Sequence, residues 1–259
     1  MPCHNRSTSL PSAPHSCVLG VEEELQTLKA RVDSSSLTTQ MMCDALKDIG
    51  HLHECIEEVF CLPSNQNCLS HPQQRKLMEE ELEGSVRLLD LCSTMRDNMG
   101  AMRIHIQDFQ SALRREGAAA IANKVQTYIR FAKKANKDVK RQIGNKFTSS
   151  IKEDCDLLLA VRLLIEAREF TMSLLQSVFS LVSNQIIKPK TSKWSLVSKT
   201  LHKRKVACVV QEDNDRKALE AQKQLLTLEL SIEGLENGLE CLFRQLIRSR
   251  VSLLNILSL

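Results

Sequence analysis

With 259 residues, aromatics at 3%, and only 8 glycines and 6 prolines, the chain is too poor in turn formers and strand-favouring side chains for a β-sandwich, a barrel or a wound α/β sheet. Its hydrophobic fraction of 42% is enough for a real core, so composition points to an all-α protein, an elongated bundle of about five or six helices. The net charge of +4 is mild and by itself implies no nucleic-acid partner.

Residues 1–20 hold three of the prolines and five Ser or Thr, and no acid precedes Glu22. That is the composition of a disordered tail, ahead of a single helical domain over residues 21–259. A transit peptide would want more arginine than Arg6 alone, and a phosphorylated arm would centre on Arg6, Ser7 and Ser9. The stretch lacks the apolar run of a secretory signal, so the ten cysteines are expected in a reducing, cytoplasmic setting, with a nuclear or plastid address left open. Cys43, Cys92, Cys155 and Cys241 lie on or beside apolar stripes and are expected as reduced core residues.

A short helix is expected over residues 22–32 and a longer one over 36–62, closed by Pro63. After a polar loop, residues 73–116 carry a clean seam: Cys92, Met95, Met99, Met102, Ile106, Phe109 and Leu113 alternate at intervals of three and four. The next helix, 118–142, puts Val125, Ile129, Ala132 and Val139 on an apolar face and carries the first of two basic blocks. Between Lys124 and Lys146 there are eight Lys or Arg against one acid, Asp138. Ser149 or Ser150 then caps a long helix reaching Ile187. Its last 18 residues lack charge, the length of a membrane span, but the Ser, Gln and Asn scattered through them fit a central bundle helix better.

Residues 188–212 form a loop inside the domain without helical periodicity, holding Trp194 and the second basic block, seven bases and no acid from Lys188 to Lys205. The final helix repeats the three-and-four spacing at Leu225, Leu228, Ile232, Leu235, Leu239, Leu242 and Leu246, continued by Ser249, Leu253 and Ile256. Gly234 and Gly238 beside that stripe suggest close approach of another helix, since Glu229, Glu233, Glu236 and Glu240 rule against a membrane pair.

Few residues invite chemistry. His51, His53, Cys55, Cys61, Cys68 and His71 are the densest set of metal donors, yet only His51 and Cys55 share a helix face and no C-x-x-C claw exists, so no metal is assigned. Phosphate-loop, dinucleotide, nucleophile-elbow and zincin signatures are missing, and the carboxylate pairs Glu57/Glu58 and Glu79/Glu80 suit solvated faces; no catalytic residue or cofactor is assigned either. The basic blocks suit an acidic protein partner or an anionic membrane surface. Nucleic acid is disfavoured because only Tyr128, Phe131 and Trp194 could stack on bases, although Lys203-Arg204-Lys205 is a thin nuclear-import signal. The competing account is internal: the blocks neutralise the acidic helices around Glu79–Glu83 and Glu229–Glu240.

Several segments taken together resemble the plant BYPASS-related family (domain of unknown function 241). They are RSTSLPSAPHS from Arg6, ECIEEVFCLP from Glu54, SVRLLDLCSTMRD from Ser85, LRRE from Leu113, WSLVSK from Trp194, KRKVAC from Lys203 and LIRSRVSLLNILSL from Leu246. The resemblance implies a predominantly helical, plant-specific protein without an established enzymatic activity, associated with root and shoot development, including restraint of a root-derived mobile signal. It defines no catalytic residues. The resulting expectation is a non-enzymatic interaction protein. Lys133, Lys134, Lys137, Lys140 and Arg141 would form one contact face. Trp194, Leu196, Val197, Lys203, Arg204 and Lys205 would form a second on the loop, unless Trp194 is a latch packed on the bundle. The last helix's long seam can pack internally or pair with a second copy as a homodimer.

Overall fold

The structure, a computed structural model, describes residues 13–33, 37–62, 65, 71–115, 118–144, 159–187 and 211–258. Every regular element among them is an α-helix: α1 (Ala13–Val32), α2 (Thr39–Phe60), α3 (Pro72–Arg115), α4 (Ala118–Gly144), α5 (Leu159–Ile187) and α6 (Gln211–Leu257). The ends follow local chemistry. Thr38, in extended backbone, accepts the Met41 amide at 3.2 Å on its hydroxyl and so caps α2. At the other end the Cys61 amide donates to the Glu57 carbonyl at 3.1 Å and Asn65 Nδ2 to the Val59 carbonyl at 2.7 Å, just where Pro63 forbids a further turn.

Four helices form the body. α6 packs along both α2 and α3, and α5 packs along the same two, so that α2 faces α3 and α5 faces α6 across one core. α1 covers the groove between α2 and α5, and α4 covers that between α3 and α5. With neighbours on α1, α2, α3 and α4, α5 is the central helix its apolar sequence demanded: Val161, Ile165, Leu174, Leu175, Val178 and Phe179 are all buried. No helix among the described residues is long and apolar enough to cross a membrane.

α3 and α6 run antiparallel for about 40 residues, about 60 Å at 1.5 Å per residue. Their register is fixed at one end by Arg75 Nη2 donating to the Leu257 carbonyl at 2.7 Å and by Arg250 Nη1 donating to Ser85 Oγ at 2.7 Å. Beyond the middle it is fixed by Arg103–Glu236 at 3.1 Å and by Gln107 and Gln110, each donating to Glu229 at 2.8 Å. The two seams meet between these pairs. Cys92, Met95, Met99, Met102, Ile106 and Phe109 are buried, and so are all seven apolar positions from Leu225 to Leu246. Each such side chain contributes about 1.5–3 kcal/mol by leaving water. The glycines face α2 instead: a methyl group at Gly238 would meet the Leu46 side chain at 3.2 Å, and one at Gly234 would meet Cys43 Sγ at 3.2 Å. Close approach of two helices is thus what these glycines permit.

Some boundaries and faces differ from expectation. α1 begins at Ala13, inside the stretch expected to be tail, because Val18 and Val21 join Leu25, Leu28 and Val32 in a buried three-and-four line. On α4 the buried line is Tyr128, Ala132, Ala135 and Val139, while Val125 and Ile129 are half-buried flanks. Cys43 and Cys92 are buried thiols as expected, but Cys241 is exposed, since two positions past Leu239 turns its side chain away from the core. Cys155, the expected cap at Ser149 or Ser150 and positions 188–210 of the expected loop 188–212 lie outside the described residues, while Gln211 and Glu212 already belong to α6.

Candidate functional site

α4 owes its placement to one aromatic and two alanines. Tyr128 inserts between α4 and α3, edge-on to His105 with centroids 5.6 Å apart and to Phe109 at 5.8 Å. Ala132 and Ala135, one and two turns on, let the backbone settle closely onto its neighbours. Tyr128 is fully buried and burial pushes its phenol well above the ordinary range, so it is no stacking platform for a base.

At 100° per residue, that inward line forces the bases outward. Arg130, Lys133, Lys134, Lys137, Lys140 and Arg141 are all exposed and share the opposite face within one arc, over about 16 Å of helix. Arg141 reaches Asp138 one turn back at 3.2 Å. Among the described residues none of Arg130, Lys133, Lys134, Lys137 or Lys140 makes an ion pair. Several of the acids that could have neutralised them are answered elsewhere. Glu236 and Glu240 pair with Arg103 and Arg96 of α3, Arg75 pairs with Glu79, and Glu81 pairs with Arg168 of α5. The five expected contact residues on α4 therefore stand together as one cationic stripe. Trp194, Leu196, Val197, Lys203, Arg204 and Lys205 lie outside the described residues.

Two buried polar contacts escaped sequence reasoning. Arg168 Nε donates to Glu81 Oε2 at 2.7 Å with both side chains at most 5% exposed, and burial raises the Glu81 carboxyl while Arg168 pulls it back down. Gly84 makes the room, since a methyl there would lie 3.1 Å from Arg168 Cδ. His53 Nε2 lies 3.2 Å from Thr171 Oγ1, whose proton goes to the Ala167 carbonyl at 2.6 Å. The histidine is therefore the donor, neutral with its proton on Nε2, and burial holds its pKa down at about 4. Both contacts join α5 to a neighbour and both are sealed from solvent. In the sequence Arg168 and Thr171 look no different from the other charges and hydroxyls of that helix, such as Arg162, Glu169 and Ser173.

Of the six candidate metal donors, the structure brings His51 and Cys55 together, with Cys55 Sγ 3.3 Å from His51 Nδ1. It adds Glu24 of α1, which no spacing within α2 could reveal; its Oε1 is 4.0 Å from the same nitrogen. His53 is buried on another face, Cys61 and His71 are exposed elsewhere, and Cys68 lies outside the described residues.

The family model described as Protein BPS1 matches residues 45–256, which takes in most of α2 and all of α3 to α5, and α6 up to its last turn. No curated protein and no solved structure matches the chain. With about four fifths of its length matched, the chain belongs to the BPS1 family, in keeping with the BYPASS-related resemblance of its segments. Membership implies a role in plant development without specifying a biochemical mechanism, and the family is not known as one of enzymes.

Proposed function

We propose that this BPS1-family chain is a non-enzymatic interaction protein of plant development, which docks an acidic segment of a protein partner on the outward stripe of α4. The observation that supports it is the stripe's isolation: six bases on one face, five of them without an ion pair among the described residues, while Glu236 and Glu240 of α6 pair with α3 and Glu81 pairs with α5. Cations left unpaired on a helix need not break an internal ion pair before they bind, and they steer an acidic surface into register. The site acts in the cytoplasm, within the control of root and shoot growth that includes restraint of a root-derived mobile signal. The loop bases Lys203, Arg204 and Lys205 with Trp194 would add a second contact.

An anionic membrane surface is the second reading of the same stripe. Each base near such a surface contributes about 1 kcal/mol. However, no described side chain of α4 is both large, apolar and exposed, so nothing would insert and the contact would be released by salt. The test is capture from root tissue with the native chain and with Lys133→Glu, Lys134→Glu and Lys137→Glu combined. Loss of an acidic protein by about tenfold or more, with unchanged helicity, supports the first reading. Salt-sensitive co-sedimentation with anionic vesicles, and no captured protein, supports the second.

A further inference from the structure

We propose that Glu24, His51 and Cys55 form a binding site for a divalent transition-metal ion of the zinc class on the outer surface of the α1–α2 hairpin. The donors are a carboxylate, an imidazole and a thiol, a set that a borderline-soft ion accepts and that calcium or magnesium would not select. His51 and Cys55 are four residues apart on α2 and Glu24 projects from the facing turn of α1, so two elements contribute, and their three ligand atoms lie within 4.8 Å of one another.

The geometry separates this from a thiol activated by a histidine. A Cys–His–Glu relay places the thiol and the carboxylate on opposite ring nitrogens, so that one orients what the other deprotonates. Here both approach Nδ1, Cys55 Sγ at 3.3 Å and Glu24 Oε1 at 4.0 Å. Three donors around one point describe a coordination sphere. With Zn–S about 2.3 Å and Zn–N about 2.0 Å, tetrahedral ligands stand about 3.5 Å apart for S and N and about 3.3 Å for N and O. The sulfur–nitrogen separation already matches. The carboxylate has to come about 0.7 Å nearer the nitrogen and to close on the sulfur, from a cluster whose atoms already lie within 4.8 Å of one another, and its exposed side chain supplies that by a rotamer adjustment.

The helices carrying the donors are held in place independently of them. Arg31 pairs with Asp48 across α1 and α2, and Lys29 Nζ pairs with Glu166 of α5 at 3.0 Å. His51 is 65% exposed on its side chain, so an ion has a path in, and with three protein donors the fourth position falls to water or a small anion. Binding ionises the Cys55 thiol and releases its proton to solvent.

The experiment titrates the full-length reduced chain with Co2+ as a spectroscopic surrogate, then displaces it with Zn2+. The expected result is one equivalent of Co2+ giving a thiolate-to-metal band in the near ultraviolet and the visible bands of tetrahedral coordination, both lost on adding one equivalent of Zn2+. Cys55→Ser should abolish the charge-transfer band, and His51→Ala should weaken Zn2+ binding about 100-fold or more, beyond what outer-shell losses cost. Glu24→Gln should keep the band and weaken binding about tenfold. Cys61→Ser and Cys241→Ser, both exposed thiols outside the cluster, should leave binding unchanged. No thiolate band in the native chain, or a band that survives Cys55→Ser or an affinity unmoved by His51→Ala or Glu24→Gln, overturns the site. Far-ultraviolet circular dichroism of each variant shows that the helices are intact, as the exposure of these side chains leads one to expect.

Discussion

His53 sits between α2 and α5 with Nε2 committed to Thr171 and Nδ1 buried without a hydrogen-bond partner. Its folded pKa of about 4 against 6.5 for the free ring means that the neutral form alone is tolerated inside. At pH above 6.5 the ring is neutral in both states and costs no stability. Below 6.5 the unfolded chain takes up a proton that the folded chain refuses, and stability falls until the folded ring protonates near 4. The gap corresponds to about 3 kcal/mol. His53→Leu should therefore remove that part of the acid sensitivity: urea titrations at neutral pH and near pH 4 should show the native chain losing about 3 kcal/mol more than the variant. Equal losses would place the acid response elsewhere. Arg168 makes the complementary case, because its charge is needed where it lies. Arg168→Met strands the Glu81 carboxylate at 2% exposure and should cost about 3–5 kcal/mol, whereas Glu81→Leu with Arg168→Met should recover most of it. Denaturant midpoints of the two variants decide.

α6 puts leucines on opposite sides of the same helix. Leu239 is fully buried between α2 and α3, and Leu230 is 59% exposed on the outer surface. Leu239→Ala should cost about 2–5 kcal/mol through lost burial and the void it leaves, and Leu230→Ala less than about 0.5 kcal/mol. Chemical denaturation of the pair tests whether the seam is the true core line. That line was legible in the sequence because three-and-four spacing repeated over many turns has only one helical face to occupy, and the Met-rich line of α3 was legible for the same reason. Shorter or mixed patterns were less so. On α4 the expected face of Val125, Ile129, Ala132 and Val139 was half right: Ala132 and Val139 are buried, but Val125 and Ile129 only flank the core. Packing set Tyr128 and Ala135 beside the two buried residues, since a ring flanked by small residues fits the α3–α5 groove. On α1, composition outvoted Val18 and Val21, whose burial depends on α2 and α5 being there to cover them.

At the level of the whole molecule, a basic run becomes a site or a solvated face according to where its opposite charges go, and that is a tertiary property. The sequence showed the bases of α4 and the acids of α6 without showing that α3 stands between them with Arg96 and Arg103. The same applies to Glu24, brought to His51 and Cys55 only by the pairing of α1 with α2. If the stripe is unmatched internally, it should repel itself. Lys137 has Lys133, Lys134, Lys140 and Arg141 at three- and four-residue spacing, and each like-charge neighbour costs about 0.2–0.5 kcal/mol on a helix. Lys137→Gln should then raise the thermal midpoint at low salt by an amount worth about 1–2 kcal/mol, and the gain should shrink as salt shortens the Debye length to about 3 Å at 1 M. A residue engaged in an internal ion pair responds with the opposite sign, losing stability on neutralisation, most of all at low salt. Melting curves of the two chains across an ionic-strength series thus report whether the cationic face of α4 is held in reserve for a partner or already in use by the fold.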